Sequence, residues 1–146
     1  LDGIFNRFLS GAQIFTNRDV LRHDYIPPSL PHRDEHIQRL GGILAPALSG
    51  SKISNVFVYG KPGTGKTIVA KFVLDRLDRK AKEIGSSLYI SYVNCRLAGT
   101  NYRVIADLCR SIRVEVPFTG LAVGELMDRF RNGLDASKTA FLVVLD

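Results

Sequence analysis

The sequence is poor in cysteine: Cys95 and Cys109 are the two it has. Two thiols are too few for a disulfide framework, and they lack the close pairing of zinc ligands. They read as reduced, half-buried fillers. Nowhere is there an unbroken run of ~18 apolar residues, so no segment is predicted to span a bilayer. The start of the chain also lacks the charged, apolar and small-residue pattern of a secretory leader. The expectation is a cytoplasmic protein without a membrane partner. Negative charge is in short supply as well: 14 Asp and Glu stand against 20 Lys and Arg, a formal net charge of +6. That balance permits a polyanionic partner without identifying it. What remains is a chain of 146 residues, 45% of them hydrophobic, which is one domain's length with enough apolar material for a core.

The most specific stretch is Gly60, Lys61, Pro62, Gly63, Thr64, Gly65, Lys66 and Thr67. It meets the spacing G-x-x-x-x-G-K-[ST], and it lies between a β-branched and aromatic run (Asn55 to Tyr59) and a helical pattern that starts at Ile68. The run is predicted as a buried strand. Gly60, Gly63 and Gly65 allow positive φ and keep side chains out of the way, so successive backbone N–H groups can converge on phosphate oxygens at a helix N-terminus. Lys66 adds charge between the β- and γ-phosphates of ATP or GTP, and the Thr67 hydroxyl is an oxygen ligand for Mg²⁺. Far downstream, Phe141 to Leu145 forms an apolar run ending in Asp146, which is how a P-loop NTPase presents a metal-binding carboxylate. A carboxylate directly after it would orient the attacking water, and no residue in the chain can be named for that role.

Between these landmarks the chain alternates. Ile4, Phe5, Phe8 and Leu9 share one face of a short predicted helix over Leu1 to Leu9, and Tyr25 to Pro31 carries three prolines and reads as an extended connector. A helix is predicted over Arg33 to Leu48, bent by Gly41, Gly42 and Pro46. A second follows the P-loop to about Gly85 with Val69, Val73 and Leu77 in one stripe. Leu88 to Asn94 reads as a strand, Tyr102 to Ile112 as a helix capped by Thr100 or Asn101, Glu125 to Leu134 as a further helix and Ala140 to Leu145 as a buried strand.

A P-loop followed by an apolar run ending in Asp looks like the AAA+ class of ATPases. Upstream, Leu21, Arg22, Asp24, Tyr25, Ile26 and Pro27, then Leu30, Pro31, His32, Arg33, Asp34 and Glu35, resemble the archaeal replication initiators of the origin recognition complex and cell-division-control type. The resemblance implies an α/β P-loop NTPase fold, a parallel sheet flanked by helices and incomplete in this chain. Residues 1–31 would be an N-terminal helix and connector, and 32–146 the N-terminal portion of the ATPase domain. A lid, a winged-helix domain and a strand lying between the P-loop strand and the Asp146 strand would be missing, leaving open hydrophobic edges.

It further implies ATP/ADP and Mg²⁺ as cofactors, with Lys66 and Asp146 catalytic and Thr67 and Asp146 at the metal. The nucleotide site would take in the loop from Gly60 to Thr67, Ile68, and the connector residues Tyr25, Ile26, Pro27, Leu30, His32 and Arg33 beside adenine and ribose. Without the resemblance, that connector reads as a linker whose aromatic packs on the core. A helical insertion after the second strand would touch DNA through Arg113, Pro117, Phe118, Thr119, Gly120, Arg129 and Arg131. These residues read equally as an interhelical loop with solvated arginines. The implied partners are double-stranded origin DNA, other initiator subunits and the replicative helicase. Two alternatives stay open: a loader or motor ATPase acting on a protein partner, and a DNA-binding scaffold that holds nucleotide with negligible hydrolysis.

Overall fold

The computed structural model describes residues 17–22, 25–117, 119–137 and 139–146. The helix expected over Leu1 to Leu9, together with Asp24 and Phe118, lies outside the described residues.

Helix α1 (Asp34–Leu44) opens with Asp34 and Glu35 in its first turn, where carboxylates complement the helix dipole. The predicted continuation to Leu48 does not stay α-helical: Ala45–Ser49 is a 3-10 turn with Pro46 at its start. Pro46 has no N–H to return to Gly42, so the α pattern cannot be carried through it. Ile37, Leu40, Leu44 and Leu48 still reach one core, and the Ser86 hydroxyl donates to the Leu48 carbonyl at 2.6 Å, tying the turn to the entry of the next strand.

Helix α2 (Lys66–Glu83) buries Val69, Phe72, Val73, Leu74, Leu77 and Ala81 along one face. Its other face is laced by Asp75–Arg79 and Asp78–Lys82 pairs one turn apart. Exposed pairs of this kind contribute a few tenths of a kcal/mol each, roughly 0.3–0.5, so burial holds this helix in place. Strand β1 (Leu88–Val93) then leads through the short α3 (Cys95–Ala98) into α4 (Asn101–Ser111). The Thr100 side chain accepts from the Arg103 N–H at 3.3 Å, which settles the cap in its favour over Asn101. α3 has no counterpart in the sequence expectations; Asn94 caps it by accepting from the Leu97 N–H at 3.1 Å. Helix α5 (Val123–Ser137) returns to strand β2 (Ala140–Leu145), which pairs with β1 in parallel, Leu88 opposite Ala140 and Val93 opposite Leu145.

Strand side chains alternate between faces. Leu88, Ile90, Tyr92, Ala140, Leu142 and Val144 therefore pack against α1 and α2, while Val93 and Phe141 pack against α4 and α5. Phe141 stacks on Tyr89 at 5.5 Å between ring centres and meets Phe130 edge-on at 5.5 Å. Helices cover both faces of a parallel sheet, the layering expected of the fold class.

One expected strand is absent. Asn55 to Tyr59 forms no ladder with β1 or β2 among the described residues, and Phe57 and Tyr59 are 86% and 82% exposed. A strand exists only where a neighbour takes its N–H and C=O groups. No described strand lies beside this segment, so its β-forming composition goes unused. The outward edge of β2 is open too, with Val143 and Leu145 exposed.

Candidate functional site

The loop ahead of α2 turns through Gly63 and Gly65 at φ of 77° and 85°, the left-handed region that glycine enters without strain. It closes on itself. The Thr64 hydroxyl donates to the Lys61 carbonyl at 2.8 Å, and the Lys66 ammonium reaches back to the carbonyls of Gly60 and Lys61 at 3.0 and 2.9 Å. The result is a ring of backbone around a lysine head, set on the N-terminus of an 18-residue helix. Helix dipole, free N–H groups and ammonium charge all favour an anion there.

Asp146 arrives from the far end of the chain. Its N–H donates to the Val93 carbonyl at 3.0 Å and its own carbonyl accepts from the Cys95 N–H at 2.7 Å, so the parallel pairing of β1 and β2 sets its backbone. Its side chain then meets Thr67, 79 positions away in sequence: the threonine hydroxyl donates to Oδ1 at 3.0 Å and lies 3.4 Å from Oδ2. Two hard oxygens 3.0 Å apart have the spacing of neighbouring corners of an octahedron with ligand distances of about 2.1 Å. Thr67 and Asp146 thus fit Mg²⁺ in donor type and in spacing. Among the described residues no group of three or more His, Cys, Asp or Glu converges.

Tyr92, which the sequence reading passed over, completes this corner. Its hydroxyl donates to Asp146 Oδ2 at 2.5 Å, and the Lys71 ammonium lies 5.2 Å above its ring. Burial, then the bond to Asp146 and that carboxylate's charge, push the phenol well above its ordinary pKa, so it remains a proton donor. Lys71 is also new to the site. It stands one helical turn after Thr67, on the same side of α2.

A cleft of about 330 Å³ beside the loop is lined by Tyr25, Gly63, Gly65, Lys66, Thr67, Ile68 and Lys71. Of the connector residues, Tyr25 is in its wall, and the Arg33 guanidinium lies over Gly65, 3.9 Å from where a side-chain carbon would begin. Ile26 and Pro27 instead run along α2 with Pro28, whose carbonyl accepts from Arg76 Nη2 at 2.9 Å. Arg76 in turn covers the Phe72 ring at 4.4 Å and so ties the connector to α2. Leu30 and His32 stand outside the cleft's lining, His32 exposed with φ of 57°.

The residues expected in a helical insertion lie along α4, α5 and the turn between them. Arg113 caps α4 at φ of 61°, with the Val114 N–H returning to the Cys109 carbonyl at 2.9 Å. Pro117 is exposed and its carbonyl accepts from the Tyr102 hydroxyl at 2.7 Å; Thr119 and Gly120 are exposed beyond it. Arg129 pairs with Glu125 at 2.9 Å and Arg131 with Asp128 at 3.8 Å. Two positions apart, these arginines are separated by about 200° around the helix and do not form one patch with each other.

A parallel sheet covered by helices, with a glycine loop at a helix N-terminus and a strand-end Asp beneath it, defines a P-loop NTPase fold. The chain belongs to the AAA ATPase domain family, which it matches over residues 29–146. It is 43% identical to an ORC1-type DNA replication protein of Thermococcus onnurineus, covering 100% of this chain and 36% of that protein. It is 42% identical to the ORC1-type DNA replication protein 1 of Archaeoglobus fulgidus, covering 98% and 35%. Among solved structures it resembles the Aeropyrum pernix ORC1 protein in complex with DNA, at TM-score 0.86 and 45% identity over 90% of this chain and 34% of that one. It also resembles the Aeropyrum pernix ORC2 protein in ADPNP and ADP complexes, at TM-score 0.72 and 28% identity over 90% and 35%. The chain therefore spans about a third of the length of the curated relatives it matches. No helix among the described residues is long and apolar enough to cross a membrane.

Proposed function

We propose that the chain is the nucleotide-binding portion of a DNA replication initiator, in which ATP or ADP acts as a switch on DNA binding and assembly. The observation that carries this reading is the meeting of Thr67 and Asp146 under the loop, 3.0 Å apart across 79 positions of sequence. The loop amides and Lys66 hold the β- and γ-phosphates. Thr67 and Asp146 hold Mg²⁺, which when bound offsets the phosphate charge. Tyr25 and Arg33 flank the nucleoside side of the cleft, with the remaining connector residues Ile26, Pro27, Leu30 and His32 shaping its approach. In this reading the connector leads into 32–146, the first portion of the ATPase domain.

DNA binding is proposed through the turn of the α4–α5 hairpin, with Arg113, Pro117, Thr119 and Gly120 meeting a minor groove and Arg129 or Arg131 a phosphate. The likeness to an ORC1 structure holding DNA supports this. Other initiator subunits and the replicative helicase are the proposed partners. The test is calorimetry of ADP and ATP binding to the full-length protein, with Lys66→Ala beside it, followed by binding to origin and random DNA at matched salt. Nucleotide affinity that does not depend on Lys66 would refute the loop assignment. Equal affinity for the two DNAs would refute origin recognition.

A further inference from the structure

Asp146 is exposed, and a carboxylate at the open end of a strand turns freely about two side-chain bonds unless something holds it. Its backbone is clamped by Val93 and Cys95, but those bonds leave the side chain free to rotate. The side chain is held by two hydroxyls, Thr67 on Oδ1 at 3.0 Å and Tyr92 on Oδ2 at 2.5 Å. A threonine hydroxyl drawn onto the metal through an oxygen lone pair divides its orientation between cation and carboxylate, so the bond from Thr67 does not by itself fix Asp146 in the loaded site. The bond from Tyr92 has no such conflict.

Tyr92 is itself well fixed. It sits on β1 directly opposite Val144, its body packs with the α1–α2 side of the core, and the Lys71 ammonium lies 5.2 Å over its ring. Lys71 and Thr67 are one turn apart on α2, so this helix meets the Tyr92–Asp146 pair at both ends. We infer that Tyr92 is a positioning residue for the metal site, its phenol holding one oxygen of Asp146 so that the other faces the cation and Thr67. The inference rests on the nucleotide-and-metal reading proposed above. It adds a residue from β1 to a site made of the P-loop and Asp146. Outer partners that orient metal ligands typically change metal affinity about 10- to 100-fold when removed.

The experiment measures ADP affinity of the full-length protein in EDTA and across a series of Mg²⁺ concentrations. Wild type, Tyr92→Phe, Asp146→Asn and the double variant are compared. Tyr92→Phe keeps the ring and its packing and removes one hydroxyl. The expected result is a half-saturating Mg²⁺ concentration raised about tenfold, with ADP affinity in EDTA within about twofold of wild type. In the Asp146→Asn background the same change should add almost nothing, because the bond it removes serves Asp146 alone. A Tyr92→Phe protein whose Mg²⁺ midpoint equals wild type, while Asp146→Asn shifts it, overturns the inference and leaves the metal reading standing. Parallel loss of ADP affinity in EDTA assigns Tyr92 a packing role and also overturns it. A wild type whose ADP binding ignores Mg²⁺ overturns both.

Discussion

The phosphate loop and the α4–α5 hairpin both depend on glycine, for opposite physical reasons. At Gly63 the backbone runs at φ of 77°, yet an added Cβ would meet nothing within 4 Å. Direction excludes other residues there, and the surrounding space is open for a ligand. At Gly133, inside α5, no unusual φ is present, but an added Cβ would fall 2.6 Å from Val114 Cγ2 and 2.8 Å from Ile112 Cδ1. Space excludes other residues there, because α5 presses against the chain leaving α4. One region is built to admit something, and the other is closed around Cys109 and Leu126, both 0% exposed. A glycine in a sequence therefore has two meanings, and the local backbone decides between them.

The contrast is easiest to break at the hairpin. Gly133→Leu should destabilise the protein by about 3 kcal/mol, since overpacking a tight contact forces the helices apart. The nucleotide affinity of the remaining folded protein should stay within twofold, read by denaturant melts and calorimetry together. Loss of binding in step with stability would show that the two regions are not separate. Lys66→Ala should act the other way round, lowering nucleotide affinity about 100-fold by removing a charged donor, with the melting temperature of the ligand-free protein nearly unchanged.

Gly63→Ala should cost about 1 kcal/mol of ligand-free stability, the penalty of placing a Cβ in left-handed backbone. Gly63→Asn should cost less, since Asn tolerates that conformation. If the two cost the same, space and not direction governs the loop. The mildest test uses the thiols. Burial raises the Cys109 pKa, and its Sγ–H faces the Leu126 carbonyl at 3.7 Å. Native protein treated with an alkylating agent at about pH 8 should therefore label at half-buried Cys95 and spare Cys109 until the hairpin opens. Mass spectrometry of the labelled peptides gives the answer.

Much of this could be read from residue order. The helical stripe of Val69, Val73 and Leu77, a cap at Thr100 or Asn101, the apolar run of β2 and the glycine loop all follow from neighbours at fixed spacing. Asn55 to Tyr59 shows the limit of such reading. Its composition is that of a strand, but pairing requires a second chain segment at the right distance, and composition does not supply one. Arg76 and Lys71 lie off the Val69, Val73 and Leu77 stripe, and helical periodicity gives the direction of a side chain and not what waits there. In the structure Arg76 pins the connector through Pro28, and Lys71 covers Tyr92.

The residue order by itself determined the phosphate loop, because all of its parts are contiguous and its geometry is a matter of local φ and a helix start. It also determined that an acidic residue would end an apolar run, although that strand, expected to be buried, is half-buried to exposed here. That Asp146 comes to lie 3.0 Å from Thr67, with Tyr92 holding its other oxygen, was decided by the tertiary structure alone. The parallel register of β1 and β2 levels Val93 with Leu145, and the packing of α2 on the even-numbered strand residues brings the loop down onto that end. Register and packing are relations between distant segments, set by which apolar faces can be buried together, and no single stretch of sequence contains them.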